Sequence, residues 1–135
     1  NPEEAKRNAE AAKAETLSNL VNGLGLEVED LRIDFNDSVA TVFGKTDSQA
    51  EKEKVVLAIG NVNGVASVDD RLEVSIPEPE AVYYTVVPGD SLSKIAKVHY
   101  GNAMKYPVIF DANKPMLKDP DKIYPGQVLR IPPIE

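Results

Sequence analysis

The stretch VATVFGKTDSQAEKEKVVLAIGNVNGVASVDDRLEV, residues 39–74, decides the fold of the first half of the chain. It opens with a short run of β-branched and aromatic residues, which predicts a strand. Asp47 or Ser48 can cap a helix that runs from Gln49 to about Ile59, with Gly60 as the residue that follows it. β-branched residues resume at Val65 and continue to Ile76, which predicts another strand. The stretch therefore predicts the order strand, helix, strand.

The residues before this stretch add one helix and one more strand. Residues 2–22 are rich in Ala, Glu and Lys and predict a helix that the glycines after it end. Apolar and charged residues alternate over residues 31–35, which predicts a half-buried strand, and Asn36-Asp37 predicts a turn. The first half is therefore predicted as αββαβ, an α+β arrangement in which two helices cover one face of a three-stranded sheet.

A Pro- and Glu-rich segment, SIPEPEAVYY at residues 75–84, separates the two halves of the chain. Its prolines lack amide donors and favour extended backbone, and its glutamates keep the segment solvated. We interpret residues 77–82 as a linker between a first domain of residues 1–76 and a second domain of residues 83–135. The alternative is an edge strand that leaves a single domain.

The residues after the linker predict the order βααβ. A short strand over residues 83–87 leads into a Pro-Gly turn, and Asp90 or Ser91 can cap the helix that follows, which Gly101 ends. Pro107 suits the first turn of a second helix. Val128, Leu129 and Ile131 predict a closing strand, so this half is also α+β.

Composition excludes several classes of function. The 135-residue chain has a net charge of −7, so we expect neither nucleic acid nor membrane as a partner, because an acidic surface repels phosphates. No apolar run approaches the roughly 18 residues of a membrane span. The absence of cysteine excludes disulfides and thiolate metal sites. A single histidine, His99, offers little for nucleophilic catalysis, and we expect no enzyme.

The motifs of the two halves resemble two known domain families. TVVPGDSLSKIA, ANKP and IYPGQVLRIP in residues 83–132 resemble a LysM domain. Residues 15–76, which include GNVNGVASVDDRLEV, resemble a BON domain. A BON domain followed by a LysM domain in one short acidic chain is similar to the bacterial cytoplasmic potassium-binding protein family.

That resemblance implies a function without catalysis. It implies a cytoplasmic ion sensor or buffer that binds K⁺ and becomes more compact, with contact between the BON and LysM domains, and we expect a monomer. Members of the family usually carry a short apolar segment ahead of the first BON helix, whereas this chain begins NPEEAKRNAEAAKAE. Further ligands are expected from this N-terminal region, and no residue there is assigned.

The loop GNVNGV can supply the oxygens that K⁺ requires. K⁺ is large and monovalent, and neutral carbonyl oxygens can replace its hydration shell, whereas Ca²⁺ and Mg²⁺ prefer carboxylates. Gly60 can adopt positive φ and free its neighbours' carbonyls from the helix, and Gly64 can do the same four residues later. A helix C-terminus also leaves its last carbonyls unsatisfied. The resemblance implies the carbonyls of Gly60, Val62 and Val65 as K⁺ ligands. The alternative is a glycine-terminated helix whose loop carbonyls bind only water.

The acidic pairs of the chain could suggest a divalent ion instead. Neither Asp69-Asp70 nor Asp119-Pro120-Asp121 has the ligand spacing of a calcium loop. We interpret them as solvated turn residues.

The second domain carries an alternative function. LysM domains in general bind polymers of N-acetylglucosamine such as peptidoglycan, in a groove between two loops, and this reading would place the protein in the periplasm or cell wall. The matching positions are Gly89, Asp90, Ser91, Leu92, Ile123, Tyr124 and Pro125. The same residues could instead cap a helix and fill the core, or this surface could dock on the BON domain.

Overall fold

The structure is a computed structural model that describes residues 1–134. Its contacts divide the chain into two compact units, one over Asn1–Pro77 and one that begins at Glu78. The division lies within the Pro- and Glu-rich segment. Among the described residues, no helix combines the length and the apolar composition needed to cross a bilayer.

Unit 1 has the predicted order of elements, and its α+β class is confirmed. The helices and strands are α1 (Pro2–Gly23), β1 (Glu29–Asn36), β2 (Val39–Ser48), α2 (Gln49–Gly60) and β3 (Ser67–Ile76). The sheet order is β1-β2-β3, with β1 and β2 antiparallel and β2 and β3 parallel. The helix α2 is thus the crossover of a parallel β2–α2–β3 unit.

Local signals explain where these elements begin and turn. Asp37 and Ser38 have φ of 50° and 67°, as a tight hairpin turn between β1 and β2 requires. Of the two predicted caps of α2, Ser48 is the one used, because its side chain accepts from the Glu51 amide at 3.1 Å. Strand β2 is longer than predicted, since its second half pairs with β3 as far as Ser48↔Ile76.

The core of unit 1 lies between the sheet and its two helices. All of its central residues are less than 10% exposed, and each element contributes at least one. They are Leu17 and Val21 of α1, Val55 and Ile59 of α2, Ile33, Ala40, Val42 and Leu72 of the sheet, and Leu26 of the loop before β1. Both helices therefore cover one face of the sheet, as the sequence predicts.

Unit 2 also has the predicted order, with one short addition. Its elements are β4 (Val82–Thr85), α3 (Leu92–Tyr100), a 3₁₀ turn (Ala103–Lys105), α4 (Tyr106–Ala112) and β5 (Val128–Ile131). Strands β4 and β5 pair antiparallel. The 3₁₀ turn was not predicted from the sequence, and it is capped by the side chain of Asn102.

A buried amide joins α4 to β5 in unit 2. Asn113 is 1% exposed, and its side-chain Nδ2 donates to the carbonyls of Ile109 and Arg130 at 2.7 and 2.9 Å. Its Oδ1 accepts from the Arg130 amide at 2.8 Å. All donor and acceptor groups of the Asn113 side chain are thus engaged, which makes this polar residue compatible with burial.

Candidate functional site

The helix α2 ends one residue later than the sequence suggests. Gly60 is its last residue, and Asn61 follows with φ of −87° and ψ of −1°, which is right-handed. Both the Asn61 amide and its side-chain Nδ2 donate to the Leu57 carbonyl, at 3.1 and 3.0 Å. The expectation that Gly60 opens the helix end through positive φ is therefore wrong, because Asn61 satisfies that end without it.

The left-handed glycine of this loop is Gly64. The Val65 amide donates to the Val62 carbonyl at 3.1 Å and closes a four-residue turn. Gly64 stands third in that turn with φ of 91°, where a type II turn requires positive φ. Asn63 and Gly64 are exposed, so the central peptide of the turn faces outward. We call residues 62–65 the cation turn, for the contact described next.

A cationic side chain from α1 lies on the cation turn. Lys13 Nζ donates to the Asn63 carbonyl oxygen at 2.7 Å, across 50 residues of sequence. The same atom is 3.6 Å from the position that a Cβ on Gly64 would occupy. A monovalent ammonium is thus held by a main-chain oxygen of this turn, which is the donor chemistry that suits K⁺.

The three carbonyls predicted as K⁺ ligands lie within residues 60–65, at the end of α2 and in the cation turn. The Val62 carbonyl is engaged by the Val65 amide within the turn. Within residues 1–134, no loop or cap amide donates to the carbonyl of Gly60 or Val65. Gly60 is also exposed. The role of these two carbonyls as ligands stays a prediction.

Sequence reasoning missed Lys13 and Asn63. A signal for Lys13 does exist, because Leu17 and Val21 are fully buried and follow it at intervals of four residues. Residues at i, i+4 and i+8 share one face of a helix, so Lys13 continues the buried stripe of α1 toward its rim. Asn63 carries no such signal, since its main-chain oxygen is the atom involved.

The carboxylates do not form a competing metal centre. Among the described residues, no group of three or more His, Cys, Asp or Glu side chains could hold a metal ion. Asp69 instead pairs with the Arg71 guanidinium at 2.8 Å, which lowers the pKa of Asp69. Asp70 pairs with Lys52 at 3.3 Å, and Asp119 accepts from the Asp121 amide at 2.9 Å. These acids therefore have protein partners already.

In unit 2, the structure brings the two loops of the predicted glycan groove together. The Gly126 amide donates to the Val86 carbonyl, and the Val86 amide donates to the Gln127 carbonyl, both at 2.8 Å. These bonds place the loop after β4 beside the loop before β5. Tyr124 is 53% exposed there, and its neighbour Pro125 is also exposed.

The remaining groove residues have structural partners. Ser91, rather than Asp90, caps α3 by accepting from the Lys94 amide at 3.2 Å. Leu92 is 2% exposed, and Ile123 packs against the core. The Gly89 carbonyl accepts from Lys94 Nζ at 3.0 Å.

Asp90, which was predicted with Ser91 as a possible cap of α3, instead holds the loop after β4. Its Oδ2 accepts from the Tyr84 hydroxyl and from the Val87 amide. These two hydrogen bonds favour the ionised carboxylate and lower the pKa of Asp90. The same contact raises the pKa of Tyr84, because the neighbouring carboxylate disfavours a phenolate.

Comparison with known proteins matches both halves of the chain. The family model of the BON domain matches residues 8–75, and that of the LysM domain matches residues 84–132. The chain is 50% identical over 121 residues to the Potassium binding protein Kbp of Escherichia coli, which covers 89% of this chain and 81% of that protein.

A second relative matches over a shorter length. An uncharacterized protein of Deinococcus radiodurans is 57% identical over 49 residues, which is 36% of this chain and 19% of that protein.

Proposed function

Because the chain belongs to the BON–LysM family that includes the Potassium binding protein Kbp, we propose that it binds K⁺ through main-chain carbonyls at the end of α2. The ligands that we assign are the carbonyls of Gly60, Val62 and Val65. The protein would act as a binding protein for K⁺, as a sensor or a buffer, and not as an enzyme.

The observation that carries this proposal is the contact between Lys13 and the cation turn. A protein ammonium selects the Asn63 carbonyl at 2.7 Å in a chain that has 22 acidic residues. The carbonyl dipoles at the end of α2 also carry partial negative charge, which favours a cation there. Neutral oxygens suit a large monovalent ion better than a divalent one.

Isothermal titration calorimetry of the full chain tests ion binding directly. At an ionic strength held constant with a large organic cation, we expect saturable heats for K⁺ and for Rb⁺, which is similar in size, and far weaker binding of Na⁺. Equal heats for all three ions would show that the signal reflects ionic strength and not selective binding, and would overturn the proposal.

Two acidic variants separate a carbonyl site from a carboxylate site. We expect Asp69→Asn and Asp121→Asn to leave the K⁺ affinity within about twofold, since exposed charges at a distance are screened. A large loss of affinity in either variant would move the site from the peptide oxygens to the carboxylates.

Further parts of the proposal rest on the family membership. We propose that the protein is cytoplasmic and that K⁺ binding makes the chain more compact. Small-angle scattering should then give a smaller radius of gyration in K⁺ than in Na⁺. Cell fractionation should recover the protein with cytoplasmic markers.

A second candidate function is binding of N-acetylglucosamine polymers by unit 2. The observation that favours it is the adjacency of the two groove loops, with Val87 and Tyr124 about half exposed beside them. Apolar faces of this kind can pack a sugar ring. Sedimentation with insoluble peptidoglycan tests the candidate, and a Tyr124→Ala variant should lose retention if the groove binds the polymer.

A further inference from the structure

We propose that the Lys13 ammonium is a built-in competitor for the alkali ion at the cation turn, residues 62–65, and that it sets the affinity for K⁺. The inference rests on the proposed function and assigns a role to a residue outside the predicted ligand set. In the ion-free chain the ammonium holds the turn, and K⁺ binds as the ammonium leaves.

The contacts of Lys13 differ from those of a lysine on the same helix. Lys6 forms an ion pair with Asp37. Within residues 1–134, Lys13 forms no ion pair, and its hydrogen bond is to the Asn63 carbonyl at 2.7 Å. The Lys13 ammonium is thus positioned by a main-chain oxygen, the kind of atom that K⁺ would use.

The packing of α1 in the core of unit 1 fixes the position of Lys13. Lys13 is half-buried and lies one helical turn before the fully buried Leu17. That anchoring holds the base of the side chain over the loop after α2, while its flexible methylenes let the ammonium leave. A tethered cation therefore stays close to the turn whether or not it is bound.

Two cations cannot use the cation turn without repulsion. Unit charges about 4 Å apart repel by about 1 kcal/mol in water, and a tenfold change in affinity corresponds to about 1.4 kcal/mol, so sharing would weaken K⁺ binding by roughly fivefold or more. The ammonium must also give up its hydrogen bond to the Asn63 carbonyl as it moves away from a K⁺ held by the neighbouring carbonyls. Both effects make Lys13 oppose K⁺.

Calorimetry on the full chain with a matched pair of variants tests the proposal. Lys13→Met removes the charge and keeps the length of the side chain, and we expect K⁺ to bind about five- to tenfold more tightly. Lys94→Met is the control, because Lys94 Nζ also donates to a main-chain carbonyl, that of Gly89, and its loss changes the net charge equally. We expect that control to change the affinity by less than about twofold.

Amine labelling provides a second measurement that does not depend on affinity. If K⁺ displaces the ammonium, Lys13 in the unmutated chain should react faster with an amine reagent in K⁺ than in Na⁺ at equal ionic strength. Mass spectrometry of the labelled peptides reports this, with Lys94 as the internal reference. An unchanged Lys13 rate at saturating K⁺ would contradict displacement.

The outcomes distinguish this inference from the proposed function. If the unmutated chain binds K⁺ and Lys13→Met binds equally or more weakly, the competitor role is overturned and the proposed function stands. If neither the unmutated chain nor Lys13→Met binds K⁺ saturably, the proposed function itself fails, and the inference fails with it. Saturable binding that appears only in Lys13→Met would support the competitor role of Lys13 and overturn the proposed function of the unmutated chain.

Discussion

The C-terminal ends of α2 and α3 satisfy their last carbonyls and turn the chain in different ways. Helix α3 ends at Gly101, whose φ of 73° turns the chain at once, and its amide donates to the Lys97 carbonyl at 2.9 Å. Helix α2 runs through its glycine, is capped by Asn61 in a right-handed conformation, and turns only at Gly64.

Under the proposed function, this difference is the reason that we assign the cation site to the end of α2. The exit of α3 turns directly after the helix and uses the new amide to satisfy a helix carbonyl. After α2 the chain turns only at Gly64, several residues beyond the helix. The Asn63 carbonyl of this turn accepts a hydrogen bond from the Lys13 ammonium. A glycine near a helix end therefore does not by itself indicate where the chain turns or which carbonyls are left accessible.

The largest expected effect is that of Gly64→Ala. A Cβ in the left-handed region costs about 1–2 kcal/mol, so we expect the free energy of unfolding of unit 1 to fall by about that amount. The added methyl would meet only ordinary contacts, the nearest being Lys13 Nζ at 3.6 Å, so strain of the backbone dominates. Urea denaturation measures the loss, and calorimetry should show weaker K⁺ binding. Unchanged K⁺ affinity would remove the cation turn from the site.

Gly101→Ala makes the same substitution at the glycine that ends α3. Nothing lies within 4 Å of the position of its Cβ, so the cost is conformational, about 1 kcal/mol, and falls on unit 2. We expect K⁺ affinity to stay unchanged. A loss of K⁺ binding in this variant would break the distinction between the two exits.

Gly60→Ala should raise the free energy of unfolding of unit 1, which is the opposite of the effect expected for Gly64→Ala. Gly60 lies in the helix without positive φ, and an added Cβ would make an ordinary contact of 3.6 Å with Val68 Cγ2. Replacing a helical glycine by alanine stabilises by about 0.5–1 kcal/mol, and urea denaturation should show that gain. Destabilisation would mean that Gly60 does leave the helix as the sequence suggested.

The smallest expected effect is on the stability of unit 2 at low pH. The pKa of Asp90 is lowered in the folded chain, so its contribution to stability is present above the unfolded pKa of about 3.9 and is lost as pH falls through the folded value. Unit 2 should therefore lose stability below about pH 4, and Asp90→Asn should make that loss shallower. Acid titration followed by circular dichroism measures it. An identical acid profile in the variant would show that the carboxylate contributes nothing there.

Much of the fold was predictable because its signals are local. Hydrophobic alternation located β1, and the serine caps at Ser48 and Ser91 were among the predicted ones, as was the end of α3 at Gly101. Each depends on residues a few positions apart, where side-chain preference acts directly on the backbone. The order αββαβ followed by βααβ needs no more than this.

By itself, the sequence determined the order of helices and strands, the class of each unit and the loop, residues 60–65, that is predicted to bind a cation. Only the tertiary structure decided that α2 includes Gly60 and is capped by Asn61, and that Lys13 lies on the Asn63 carbonyl. The physical reason is distance along the chain. A contact across 50 residues exists only because Leu17 and Val21 anchor α1 in the core, and no local preference encodes where that packing places an ammonium.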